Sequence, residues 1–214
     1  MTNVTSNSIR SGILLGLFAL VGTGLLSITF EATRDRISAN ERDALLSGLH
    51  KIVEPGTHDN DLFTDTIEVS DEQLLGSDTP VTVYRARKQG QPVAAVFSSV
   101  APDGYNGVIK LLVGVSFDGT LTGVRVVTHK ETPGLGDAIE AERTDWVLGF
   151  KGKSLVTPSI DKWKVKKDGG VFDQFTGATI TPRAIVKAVR NTLLYYKAHQ
   201  QVVFVISTAG QTNE

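Results

Sequence analysis

The chain has 214 residues, 41% of them hydrophobic and 21% charged, with a formal net charge of −1. That balance excludes a disordered chain and leaves no basic footprint for nucleic acid, so no nucleic-acid partner is expected. The absence of cysteine excludes disulfides, thiolate metal sites and cysteine-ligated iron–sulfur clusters within this polypeptide.

After a short tail (1–10), residues 11–30, SGILLGLFALVGTGLLSITF, carry no charge. Twenty helical residues rise roughly 30 Å, the thickness of a bilayer's hydrocarbon core. The run is long for the apolar part of a signal peptide, and no small-x-small cleavage site precedes Glu31. It reads as an uncleaved single-pass anchor in contact with membrane lipid. Arg10 lies before it and Arg34 and Arg36 after it, so basic residues leave its orientation open.

Residues 31–55 keep an apolar rhythm through Ile37, Leu45, Leu49, Ile52 and Val53, which predicts a helical stalk. Pro55-Gly56 breaks it. A domain over 56–206 follows, then a C-terminal tail over 207–214. Within the domain, 81–87 and 93–100 flank KQGQP and predict a hairpin. Ile109, Leu111, Val113, Val115 and Phe117 alternate, placing them on one face of a strand. Asp118-Gly119 turns the chain into a further strand over 121–130. DKWKVKK, 161–167, is a shorter candidate strand; its lysines form a solvated face, with Lys162 or Lys164 also placed to neutralise a phosphate. A helix is expected from Pro182 to about His199, with Ile185, Val189, Leu193 and Tyr196 as its buried stripe. The apolar end, QQVVFVIS, is short enough for helix or strand. The sum is an α+β fold: an antiparallel sheet with packing helices behind one N-terminal transmembrane helix.

The chemistry concentrates in FDQFTGATITPRAIVKAV, 172–189. Pro182 suits a first helical position, which makes Thr181 the expected N-cap. Thr176 and Thr179 are left without that role. Gly177 permits close approach or positive φ, and the small Ala178 leaves the Thr179 hydroxyl accessible beside free helix N–H groups. Two readings stand at this point: an ordinary capped turn, or a phosphate site using the donors and dipole of the helix terminus.

Asp173-Gln174-Phe175-Thr176-Gly177-Ala178-Thr179 resembles the D-x-x-[ST]-G-A-T flavinylation motif of the FMN-binding domain family. That domain occurs in the G subunit of the Rnf electron-transport complex and in the C subunit of the sodium-translocating NADH:quinone reductase. The resemblance implies that a flavin transferase joins FMN to Thr179 by a phosphoester, with Thr176, Gly177 and Ala178 as the recognition frame. A second stretch, THKETPGLGD from Thr128 to Asp137, resembles the family segment that lies against the flavin; it nominates Glu131, Thr132, Pro133, Gly134, Leu135 and Gly136. A third, DGYNGVIKLLVGV, resembles the family's G-Y-x-G turn. It nominates Tyr105 either to stack near the cofactor or to cover the core.

The remaining candidates have plainer readings. His129 shows no acid or metal partner in sequence and reads as a half-buried strand histidine or a donor to the flavin. Trp146 and Trp163 are core candidates, either of which also suits a flavin flank. Glu131 and Glu140 are too isolated for an acid/base pair.

The resemblance extends along nearly the whole chain, and its length favours the Rnf protein. It implies an electron-carrying redox subunit with no substrate turned over by this chain alone. It would work among other subunits of a complex between NADH and ferredoxin in a bacterial inner membrane, coupled to ion translocation, with its domain on the periplasmic side. The single span has no ionisable residue for an ion pathway. Two rivals predict different observations. Another member of the domain family, such as the quinone-reductase protein or a membrane-bound regulator, would co-purify with other partners. A non-redox anion-binding module would be colourless.

Overall fold

A computed structural model describes residues 2–205 of the chain, in two compact units that divide at Leu45/Leu46. Residues 207–214, expected as a tail, lie outside the described residues. The first unit is helical. Helix α1 (Thr2–Ile52) is unbroken, since the first proline is Pro55. Its segment Arg10–Arg34 has mean hydropathy 2.2, with its central side chains facing outward, as a lipid-facing helix requires. Thr29 and Thr33 donate their hydroxyls back to the carbonyls of Leu25 and Thr29, each at 2.8 Å. These two hydroxyls are thereby satisfied within the helix.

The second unit is a five-stranded antiparallel sheet in sequential order: β1 (Thr66–Val69), β2 (Val81–Lys88), β3 (Gln91–Gly104), β4 (Gly107–Ser116) and β5 (Leu121–Thr128). Between β1 and β2 lies the one-turn helix α2 (Glu72–Leu75), capped by Asp71, whose carboxylate accepts from Leu74 N. Helix α3 (Ile180–Phe204) closes the unit.

Alternation sorts the sheet's two faces. Ile109, Leu111, Val113 and Val115 are fully buried in the main core with Phe97 and with Ile185, Val189, Leu193 and Tyr196 of α3. Phe97 meets the edges of Tyr195 and Tyr196 at 6.0 and 6.2 Å. The buried hydroxyls of Ser99 and Thr192 satisfy one another at 2.8 Å. Phe117 departs from the expected pattern. β4 ends at Ser116, and Phe117 is 48% exposed, with its ring against Phe204 at 5.6 Å.

The opposite face receives the last turn of α1. Gly114 and Gly123 are cross-strand partners, and a Cβ on Gly114 would lie 2.1 Å from Ile52 Cγ2. The glycine therefore makes the hollow that Ile52 fills.

The expected strand over 161–167 is not formed. Ile160–Lys162 and Lys166–Asp168 are 3₁₀ turns. Trp163 and Val165 are buried at 1% and 0% exposure while the lysines point outward, so core anchoring, not sheet pairing, sets the alternation. α3 bends at His199 (φ −123°) and runs on to Phe204, so the residues up to Phe204 in the closing apolar segment are helical. Its last carbonyls are capped by Arg85 Nη1, which donates to Val205 O at 2.7 Å, and Arg87 Nη2, which donates to Phe204 O at 3.0 Å. Asp65 holds both guanidiniums, at 2.6 and 2.9 Å.

Candidate flavin site

Three loops meet where β4 begins, β5 ends and α3 starts. They enclose a cavity of about 330 Å³ lined by Tyr105, Glu131, Thr132, Leu135, Gly136, Gly177, Ala178, Thr179, Ile180 and Thr181. The three sequence segments nominated above thus converge in space. Thr176, Pro133 and Gly134 are solvent-exposed turn residues outside the lining, each next to a lining residue in the chain. Ile180 and the Glu131-bonded Thr181 are lining residues that sequence reasoning missed. Gly136 has a packing requirement: a Cβ there would stand 2.8 Å from Glu131 Cβ.

Glu131 ties the loops together. It is 4% exposed. Its Oε1 accepts from Asn106 N at 2.9 Å, and its Oε2 accepts from the Thr181 hydroxyl. Asn106 Nδ2 donates to Thr132 Oγ1 at 3.1 Å. A buried carboxylate with donors on both oxygens escapes the penalty of an unpaired charge.

His129 has the acid partner that its sequence context hides. Its Nδ1 accepts from Glu131 N at 3.0 Å, which places the proton of the neutral imidazole on Nε2. Nε2 then donates to Glu140 Oε1 at 2.7 Å. Arg143 Nε closes the group, at 3.2 Å from Glu140 Oε2 and 3.0 Å from Asp137 Oδ2. Glu131 and Glu140 have separate partners and form no acid/base pair with each other.

The helix entrance also differs from expectation. Thr179, not Thr181, is the N-cap residue, and it makes no side-chain cap bond. Its φ/ψ of −78°/−26° is right-handed helical, whereas capping hydroxyls ordinarily sit on extended backbone. Thr181 lies within the first turn, fully buried, and gives its hydroxyl to Glu131. Pro182, third in the helix, still costs no intrahelical bond because first-turn N–H groups lack acceptors. Thr179 is half-buried and lines the cavity with its hydroxyl uncommitted to capping.

The loop before it is a fixed turn. Ala178 N donates to Phe175 O at 3.1 Å, and Gly177 has φ +81°, a conformation that favours glycine. Asp173 pairs with Lys166 at 2.5 Å. No lysine or arginine lines the cavity, so Lys162 and Lys164 are not placed against it. Trp163 belongs to the core, stacked near Phe150 and Phe172. Trp146 packs against the 173–179 loop, with its ring edge-on to Phe175 at 5.2 Å.

A larger cavity of about 430 Å³ lies elsewhere, between the end of α1 and the 116–122 turn, and no residue of the three motifs lines it. Size alone therefore does not mark the site; convergence of polar groups with an apolar wall does.

Comparisons with known proteins decide the family. The FMN-binding domain matches residues 104–194, and the RnfG N-terminal region matches residues 1–52. The G subunit of the ion-translocating oxidoreductase complex of Pseudoalteromonas atlantica is 48% identical over 92% of this chain and 92% of its own length. The corresponding G subunits of Shewanella amazonensis and Pseudomonas aeruginosa are each 50% identical, over 90% of this chain and 89% and 90% of their own. The chain belongs to the G-subunit family of ion-translocating oxidoreductase complexes. The crystal structure of Shewanella oneidensis NqrC aligns over 65% of this chain and 75% of that one, at 24% identity and a TM-score of 0.43.

The residues of this G-subunit protein fit a flavin mononucleotide. Tyr105, Leu135 and Ile180 are exposed apolar side chains on the cavity wall, suited to a flat ring. The start of α3 at Thr179–Ile180 lies in the same wall, and a helix start is suited to a phosphate. Glu131 keeps its carboxylate oxygens turned to Asn106 N and the Thr181 hydroxyl.

Proposed function

We propose that the chain is a membrane-anchored electron carrier whose FMN is joined to Thr179 through a phosphoester. The observation that carries this reading is Thr179 itself: an N-cap hydroxyl that caps nothing, in the wall of a cavity made by the three flavin-family segments. Bound there, FMN supplies reversible redox chemistry, and the protein's part is to hold and shield it. Thr132, the loop backbone at Leu135–Gly136 and the side chains of Tyr105, Leu135 and Ile180 would hold the flavin. Covalent attachment keeps the cofactor in a compartment that does not replenish it, which agrees with a periplasmic domain behind the Arg10–Arg34 span. A flavin transferase matures the protein.

The protein relays electrons between partner redox centres, within a complex that couples transfer between NADH and ferredoxin to ion movement across the bacterial inner membrane. Turnover belongs to that complex; this chain has no substrate of its own. The test is Thr179→Ala in cells that contain the transferase. Flavin fluorescence should vanish from its band on a denaturing gel while the protein remains folded. Fluorescence persisting on the mutant band refutes the assignment.

A further inference from the structure

We propose that residues 151–172 form a basic lobe that docks on an anionic bilayer surface. The proposal rests on Arg10–Arg34 as a membrane span and is independent of the flavin.

The segment carries six lysines, two aspartates and no arginine, a net charge of +4 in a chain whose total is −1. Two of the lysines are taken: Lys151 Nζ pairs with Glu54 at 2.9 Å and Lys166 Nζ with Asp173 at 2.5 Å. Asp168 is taken as well, by two bonds of 2.6 Å from Arg183. Within the segment that leaves Asp161 against Lys153, Lys162, Lys164 and Lys167, which make no ion pair among the described residues. Lys162 Nζ reaches the carbonyl of Gly169 at 3.3 Å, and Lys153 Nζ lies 5.9 Å from the centre of the Phe172 ring.

Aliphatic side chains stand among these charges. Val156 is 82% exposed, Ile160 47% and Val171 40%. Val156 sits in a turn closed by Ser154 N, which donates to Thr157 O at 2.8 Å. Ile160 opens the 3₁₀ turn that ends at Lys162, and Val171 N donates to Lys162 O at 3.2 Å. The backbone beneath is pinned. Trp163, Val165 and Phe172 are buried, and Trp163 Nε1 donates to Ser154 O at 3.0 Å. The fold therefore holds exposed valine and isoleucine beside free ammonium groups.

The composition favours lipid over a protein partner. Protein interfaces are enriched in arginine, whose planar fork fits a carboxylate, and depleted in lysine. A lysine ammonium on its flexible stem suits the diffuse negative charge of a headgroup layer, and each one near such a surface adds attraction. The span makes this docking intramolecular, so weak contacts suffice. The lobe also begins where the chain from the span enters the domain, since the partner of Lys151 is Glu54, two residues after α1.

The test uses the full chain in nanodiscs of phosphatidylcholine alone, or of phosphatidylcholine mixed with phosphatidylglycerol. The chain has no cysteine, so Val156→Cys takes one environment-sensitive fluorophore at a known place. In discs with phosphatidylglycerol its emission should shift to the blue and be quenched by spin-labelled lipid. Raising salt from about 0.1 M to about 1 M, which shortens the Debye length from about 10 Å to about 3 Å, should reverse both changes. Adding Lys162→Gln, Lys164→Gln and Lys167→Gln should lower the docked-to-free ratio at least about tenfold. Equal emission in the two kinds of disc overturns the proposal, as does a full response to phosphatidylglycerol in the folded triple-lysine variant. A response that appears only when other subunits of the complex are added assigns the lobe to a protein and also overturns it. If the triple-lysine variant fails to fold, the comparison of the two lipid compositions decides alone. A chain that does not enter the discs overturns the span beneath the proposal.

Discussion

The Thr181 hydroxyl donates to the Glu131 carboxylate across 50 residues of sequence, fastening the first turn of α3 to the loop after β5. Both residues are buried. Thr181→Val keeps the shape and removes the donor, leaving a buried carboxylate oxygen short of one partner. A loss of about 1–3 kcal/mol is expected, read as a shift in the urea unfolding midpoint. Flavin content should fall with it, because Glu131 and Thr181 both line the cavity.

Gly114 gives a steric prediction. A methyl group there meets Ile52 Cγ2 at 2.1 Å and Thr122 Oγ1 at 2.3 Å. Gly114→Ala should destabilise the domain by about 1–3 kcal/mol, as overpacked cores do. Combining it with Ile52→Ala should recover part of that loss. A strictly additive double mutant in a denaturant-unfolding cycle would contradict the contact.

Asp65 holds two guanidiniums that are 6% and 9% exposed, Arg85 and Arg87, against the C-terminal carbonyls of α3. Asp65→Ala strands two buried cations, for which a cost of about 3–5 kcal/mol is expected. Thermal unfolding measures it. An Asp65→Ala chain that melts with wild type would mean the cap is ornamental.

Tyr196 supplies a pH dependence. Burial pushes its phenol up to about 12, against about 10 in an unfolded chain, and its hydroxyl donates to Phe117 O at 3.0 Å. Between those values the unfolded chain loses the proton first, so the unfolded state binds fewer protons and stability falls as pH rises. Burial moves Tyr195 and Tyr84 in the same direction. Stability should decline from pH 10 to 12, and Tyr196→Phe should flatten part of that decline. Equal slopes for the two proteins would refute the assignment.

The meander from β2 to β5 was legible because its inward residues alternate over long runs. β1 and α2 were not: TIEV and EQLL are too short to show a period and exist through tertiary pairing. In 160–168 the alternation of Trp163 and Val165 with lysines imitates a strand, but aromatic packing against Phe150 and Phe172 fixes it instead. The site's three loops were readable as motifs. Their wiring was not, because His129–Glu140 and Trp146–Asp173 join residues 11 and 27 positions apart with no local signature. The helix start moved from Thr181 to Thr179 for the same reason: Glu131, invisible at that distance, claims the Thr181 hydroxyl.

The central claim is one phosphoester on one hydroxyl, and peptide mapping tests it most directly. The protein is taken from a cell with an active flavin transferase, and cleavage after Lys167 and Arg183 releases residues 168–183, which hold Thr176, Thr179 and Thr181. Fragmentation mass spectrometry should place an FMN phosphoryl group on Thr179 alone. An unmodified peptide from a yellow preparation, or FMN on Thr176 or Thr181, would contradict the account.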